Sequence, residues 1–176
     1  MKIKKIAALA LIGLGFTASQ AYAAGATSGT VEFFGMVDAS TCTINGDANK
    51  AVHIDNLATT TGLTVGSPLN AQTFRIQVSG CTPSGNVEAM FVPQNPDTDH
   101  GNNQLANSGT ATGIDIGLYD GTDTSKPITW RTPTTTVVAD NNGTANLNYT
   151  AAYVPTLTTA GAGTISAKVE YQLTYN

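Results

Sequence analysis

The chain has 176 residues, enough for one domain, with eight Lys and Arg against twelve Asp and Glu and a formal net charge of −4. An acidic chain with scattered basic residues has no electrostatic footprint for nucleic acid, and no phosphate-binding glycine loop or Gly-x-Ser-x-Gly nucleophile elbow is present. Charged residues make up only 11% of the chain while Thr, Asn, Ala and Gly abound, a composition that suits a neutral-polar extracellular surface.

In chain order, the first segment reads as a secretory signal peptide over residues 1–23. Lys2, Lys4 and Lys5 form a basic start, residues 6–16 are apolar, and Ala21-Tyr22-Ala23 gives a small-x-small cleavage pattern, with Ala24 as the expected first mature residue. The apolar run is too short for a membrane span, which needs about 20 residues, so the mature product is expected not to be membrane-embedded. Cleavage would leave 153 of the 176 residues, with Lys50, Arg75, Lys126, Arg131 and Lys168 against twelve carboxylates, five against twelve, a formal charge of −7.

Residues 24–29 are small and flexible. They lead into Gly29, Val31, Phe33, Gly35 and Val37 at alternate positions, with Thr30, Glu32, Phe34 and Met36 between them. The odd register is preferred for burial because the even one would bury the charge of Glu32 with no evident partner, and Gly35 suits close backbone approach. The pattern predicts a strand over 31–37. Export to an oxidising compartment makes a disulfide the default reading of Cys42 and Cys81, the two cysteines of the chain; neither has a Cys or His at metal-ligand spacing.

Further strands are predicted over 52–57, 73–79, 87–92, 114–119, 134–139, 147–154 and 165–175, as short β-branched and aromatic runs between turn signals. Pro93, Pro96 and the polar run 97–103 mark a loop. Asp120-Gly121 and Asp140-Asn141-Asn142-Gly143 mark turns. Strands at this spacing with no helical pattern predict an all-β, immunoglobulin-like sandwich. The final run places Ile165, Ala167, Val169, Tyr171, Leu173 and Tyr175 on one face and Ser166, Lys168, Glu170, Gln172 and Thr174 on the other. No further strand follows to pair with its open side. A spare strand at one end and a missing strand at the other predict polymerisation, each copy lending its N-terminal strand to the next.

Few residues invite a catalytic or metal reading. His53 has Asp55 two residues on, and His100 is flanked by Asp97 and Asp99, but isolated histidines of this kind are commoner as surface or strand residues. Trp130 offers an aromatic face to a sugar, with a packed or partly covered tryptophan as the blander reading. No catalytic residue, metal site or cofactor is assigned.

Five motifs in order resemble the pilin subunits of Gram-negative chaperone–usher fimbriae, in particular the major subunit of type 1-like fimbriae. They are Gly29-Thr30-Val31-Glu32-Phe33-Phe34-Gly35-Met36-Val37 followed by Cys42; Phe74-Arg75-Ile76-Gln77-Val78-Ser79-Gly80-Cys81; Gly113-Ile114-Asp115-Ile116-Gly117-Leu118-Tyr119-Asp120; Tyr149-Thr150-Ala151-Ala152-Tyr153; and Gly163 through Val169, Tyr171, Leu173 and Tyr175. The resemblance implies a sandwich lacking its last strand and completed by donor-strand complementation. Residues 24–37 would be the donor extension and 38–176 the pilin domain. Gly29, Val31, Phe33, Gly35 and Val37 would be donor residues. Gly163, Ile165, Ala167, Val169, Tyr171, Leu173 and Tyr175 would form the acceptor groove and chaperone edge. The implied partners are other copies of the chain, neighbouring pilins, a periplasmic chaperone and an outer-membrane usher. The implied route is secretion through the periplasm to a cell-surface fimbrium, as a shaft subunit or, alternatively, a minor tip adaptor or adhesive binding module of the same family. The loop over 97–108 is longer than the resemblance leads one to expect, and the sequence assigns it no role.

Overall fold

A computed structural model describes residues 42–100 and 103–176, all of them in strands, turns and irregular segments. The segments read from sequence as a signal peptide and a donor extension, with Gly29, Val31, Phe33, Gly35 and Val37, lie outside the described residues.

Eight strands follow one another: β1 (Thr43–Ile44), β2 (Leu69–Ser79), β3 (Asn86–Pro93), β4 (Gln104–Leu105), β5 (Ile114–Asp120), β6 (Val137–Val138), β7 (Ala145–Pro155) and β8 (Val169–Tyr175). One sheet has the order β1-β2-β7-β5-β4 and the second β6-β3-β8, all pairs antiparallel. The two sheets face each other as an immunoglobulin-like sandwich.

Alternation puts the core between them. Ile76 and Val78 of β2, Leu147, Tyr149 and Ala151 of β7, Ile116 and Leu118 of β5, and Val87, Ala89 and Phe91 of β3 are all buried. Phe91 meets Tyr149 edge to face across the two sheets at 4.9 Å, and Phe74 lies 5.7 Å from the same ring, geometries aromatic quadrupoles favour. The Tyr149 hydroxyl shares a hydrogen bond with the Thr134 hydroxyl at 3.0 Å; burial pushes its pKa up to about 12, so it stays a neutral partner.

The predicted strands over 73–79, 87–92, 114–119 and 147–154 all appear within longer or equal elements. The strand expected over 52–57 does not form. Its carbonyls are taken by side chains instead of a ladder: Tyr153 Oη donates to Ile54 O at 3.1 Å, and Asn70 Nδ2 donates to Asp55 O and Asn56 O, each at 3.0 Å. Asn70 can do this because it sits at a left-handed φ of 49°, tolerated by Asn, where β2 shifts register against β7 between Leu69 and Gln72. Of the run 134–139 only Val137–Val138 is a strand; Pro133 has no N–H, and Met90 meets it through an isolated bridge. The short strand β4 arises inside the stretch read as loop, pairing Gln104 with Gly117 and Leu105 with Ile116.

Cys42 and Cys81 form a disulfide with Cα atoms 4.3 Å apart, joining the start of β1 to the end of β2. The turn predicted at Asp140 supports it. Asp140 Oδ1 accepts from Asn142 N at 2.8 Å and Thr144 N at 2.9 Å, and Gly143 accepts from Cys81 N at 3.0 Å. Gly143 has φ +69°, and a Cβ there would stand 2.3 Å from Cys81 O, so both backbone angle and space require glycine.

Candidate functional site

The last strand carries the candidate site. β8 pairs with β3 in register Val87↔Tyr175, Ala89↔Leu173, Phe91↔Tyr171 and Pro93↔Val169, and it is the outer strand of its sheet in the described pairing. The inward row of β3 is fully buried. The inward row that continues it on β8 is not: Val169, Tyr171 and Leu173 are only half-buried although they pack against the core, as do Ile165 and Ala167 before them. Phe91 and Tyr171 rings lie 6.3 Å apart, so this row belongs to the same interior. The opposite row, Glu170, Gln172 and Thr174, is exposed. The result is an apolar strip along an edge strand, with a two-residue period unbroken from Ile165 to Tyr175.

The predicted strand over 165–175 divides. Residues 169–175 form β8, while 163–168 leave β3 and run against the 107–111 segment. Ser108 N donates to Ser166 O at 2.8 Å and Ala111 N to Thr164 O at 3.0 Å. Asn107 clamps the contact. Its Oδ1 accepts from Ser166 N at 2.9 Å and Gly109 N at 2.8 Å, and its Nδ2 donates to Ala111 O at 2.9 Å. Gly163 lets the two segments approach, since a Cβ there would fall 2.4 Å from Ala111 N. All seven predicted groove residues thus lie along one continuous run, with Gly163 exposed at its head. Tyr171 Oη also donates to Ala48 O at 2.6 Å, tying the irregular 45–57 segment to β8.

His53 is exposed. Trp130 is partly buried against the core, with its indole Nε1 enclosed and unpartnered. Asp120 accepts from Lys126 Nζ at 2.9 Å and from Thr135 N at 2.8 Å. Burial raises its pKa, but these bonds and the Thr135 hydroxyl outweigh it and hold the carboxyl below its ordinary value. It fastens the end of β5 to the 126–135 loop. His100, read above as an isolated histidine, instead lies 3.3 Å from Asp97 through Nδ1, and Asp115 of β5 joins them. No sequence spacing announces that grouping, because Asp115 sits inside a strand far along the chain.

Comparison with known proteins places this architecture. The profile of the family described as fimbrial protein matches residues 26–176. Long polar fimbria protein A of Salmonella typhimurium is 29% identical over 98% of this chain and 97% of its own length. The major fimbrial subunit SMF-1 of Stenotrophomonas maltophilia is 30% identical over 88% and 96%, respectively. The type-1 fimbrial protein A chain of Escherichia coli K12 is 29% identical over 98% of this chain and all of its own. Among solved structures, the P pilus rod subunit PapA overlays with a TM-score of 0.60 at 20% identity, covering 77% of this chain and 99% of that one. A subunit from a chaperone–usher pilus structure concerned with rod uncoiling gives 0.61 at 20% identity over 96% and 100%. These two bear on the fold. The chain belongs to the fimbrial protein family. It is a structural pilin subunit of a cell-surface fimbria.

Proposed function

We propose that this pilin is a shaft subunit that polymerises by donor-strand exchange, without a catalytic step, after periplasmic export and delivery by a chaperone to an outer-membrane usher. In this reading residues 1–23 are cleaved and 24–37 form the donor extension of the 38–176 domain. Gly29, Val31, Phe33, Gly35 and Val37 enter a groove walled by Gly163, Ile165, Ala167, Val169, Tyr171, Leu173 and Tyr175 of the next copy. The observation that carries it is the half-buried row Val169, Tyr171 and Leu173 on the outer strand of a sheet whose neighbouring β3 row, Val87, Ala89, Phe91 and Pro93, is buried. An apolar strip beside strand-edge hydrogen-bonding groups is what an added β-strand completes, by ladder bonds and by alternate side chains entering the core.

The copy number of the chain in isolated fibres tests the shaft assignment. Quantitative mass spectrometry is expected to find it as the bulk component, in large excess over every other subunit of the fibre. One or two copies per fibre would assign it to an adaptor position instead.

A further inference from the structure

Asp97 and Asp115 are the two buried carboxyl groups of the described residues, with 7% and 8% of their surface exposed. Asp97 lies on the loop after β3 and Asp115 on β5, and with the His100 imidazole their ligand-type atoms fall within 4.8 Å of one another. Two carboxylates in contact and out of water cannot both ionise without a large cost. We propose that Asp97 and Asp115 share one proton across a hydrogen bond, and that this bond fastens the 97–108 loop to β5 and, through Asn107, holds residues 164–166 at the head of the groove wall.

The surroundings of the two groups say which carries the charge. Asp97 is bonded as an anion: Oδ1 accepts from Asp99 N at 3.0 Å, Oδ2 from His100 N at 2.9 Å, and His100 Nδ1 lies 3.3 Å away. Asp115 accepts a single backbone bond, from Asn107 N at 3.2 Å, leaving an oxygen to carry the proton. Burial raises the Asp97 pKa, but the two backbone N–H groups and the Asp115 hydroxyl outweigh it, and the group ends below its ordinary value. Burial pushes Asp115 up, against the Asn107 N–H, and the negative Asp97 pushes it further. The titratable groups facing the pair are each other and His100, half-exposed on the same loop, with Asp99 exposed beside them; β7 sets Val154 opposite Asp115. From Asp115 the path is continuous. Asn107, held at its N–H by Asp115, binds Ser166 N with its side-chain oxygen, and its amide reaches Thr164 O at 3.4 Å.

The two shifts act in opposite senses. The raised Asp115 pKa gives stability that is full below its unfolded value of about 3.8 and is lost as pH climbs through the higher folded value. The lowered Asp97 pKa gives stability present above about 3.8 and lost as pH falls through the lower folded value. Asp115→Asn replaces the shared O–H with an amide N–H of the same shape, so it is expected to keep the tether and remove the decline at rising pH.

The test uses the full chain, wild type, Asp115→Asn, Asp97→Asn and Asn107→Ala. It reads the guanidinium midpoint between about pH 4 and about pH 8 and amide exchange at Ser166. Expected are a midpoint for Asp115→Asn that loses the wild-type decline toward the upper end and stands at or above wild type there, and a lowered midpoint for Asp97→Asn. Exchange at Ser166 should be about tenfold faster in Asn107→Ala, the equivalent of one hydrogen bond. A wild-type pH slope left unchanged by Asp115→Asn would overturn the proposal. So would a midpoint raised by calcium or zinc and lowered by chelator in wild type but not in Asp115→Asn, because a cation would then stand where the proton is placed. The role of 164–166 as groove wall rests on the donor-strand reading; failure of that reading appears as absence of fibres, whereas the exchange and midpoint measurements on the unassembled chain still report the carboxyl bond.

Discussion

Deletion of residues 24–37 is expected to abolish fibres while leaving a subunit that the chaperone still holds. Val31, Phe33 and Val37 would each contribute about 1.5–3 kcal/mol on full burial. Backbone pairing along the inserted strand would add roughly 0.5–1.5 kcal/mol per bond, offset in part by the cost of ordering the donor segment on binding. None of these terms stabilises the subunit that carries the extension; all act on its neighbour. On this proposal the deletion would remove the joint between copies and leave the row Val169, Tyr171 and Leu173 open to a strand from the chaperone. Electron microscopy of the cell surface and size-exclusion chromatography of the periplasmic complex check the two halves of the prediction. Fibres assembled from the shortened chain would refute it. In a fibre built as proposed, the inserted strand would lie against the core, its departure would require the sandwich to open, and the joint should be kinetically stable.

Replacing Cys42 and Cys81 together with Ser is expected to cost the domain roughly 3–4 kcal/mol, the chain-entropy value for closing a loop of this length, here with a sequence separation of 39. A domain stable by only about 5–15 kcal/mol would lose a large part of its margin, and one whose interior also lacks a strand has less to spare. The loss falls at a particular place. Cys81 is buried, its N–H binds Gly143 O, and β1 is a two-residue strand whose attachment to β2 is short, Thr43↔Ser79 and Ile44↔Val78. The residues that follow β1, reaching Ile54 and Leu57, should loosen first. A denaturant titration of the double variant beside wild type measures the drop, and a difference below about 1 kcal/mol would show that these contacts hold β1 without the crosslink.

The legible parts of the fold are those where a period of two carries the burial. Ile76 and Val78 and the long row from Ile165 to Tyr175 identify their inner faces from the sequence alone, because one face of each strand meets the interior. The disulfide was equally legible, two cysteines in an exported chain having one pairing available. What alternation misses is backbone satisfied by side chains. The run 52–57 is β-branched and apolar enough to look like a strand, yet the Tyr153 hydroxyl and the Asn70 amide take its carbonyls. The division of 163–175 depends on Asn107, more than fifty residues upstream, and nothing within the run announces it. The Asp97–Asp115 pair was illegible for a related reason. Asp115 sits in an Ile-Asp-Ile-Gly-Leu run whose alternation places it on the outer face, where Asp97 and Asn107 from the preceding part of the chain meet it. The donor residues 29–37 were proposed from sequence and lie outside the described residues, so their partner must be found by experiment.

That experiment is a crosslink between copies. Fibres bearing both Phe33→Cys and Leu173→Cys, oxidised and then boiled in detergent without reductant, should give a ladder of covalent multimers, since the proposed donor strand of one subunit, Phe33 included, would enter the groove that Leu173 of the next helps to wall. Either single variant should give none. A lone monomer band carrying the new disulfide within one chain would mean that each subunit closes its own sandwich, and would contradict the account at its centre.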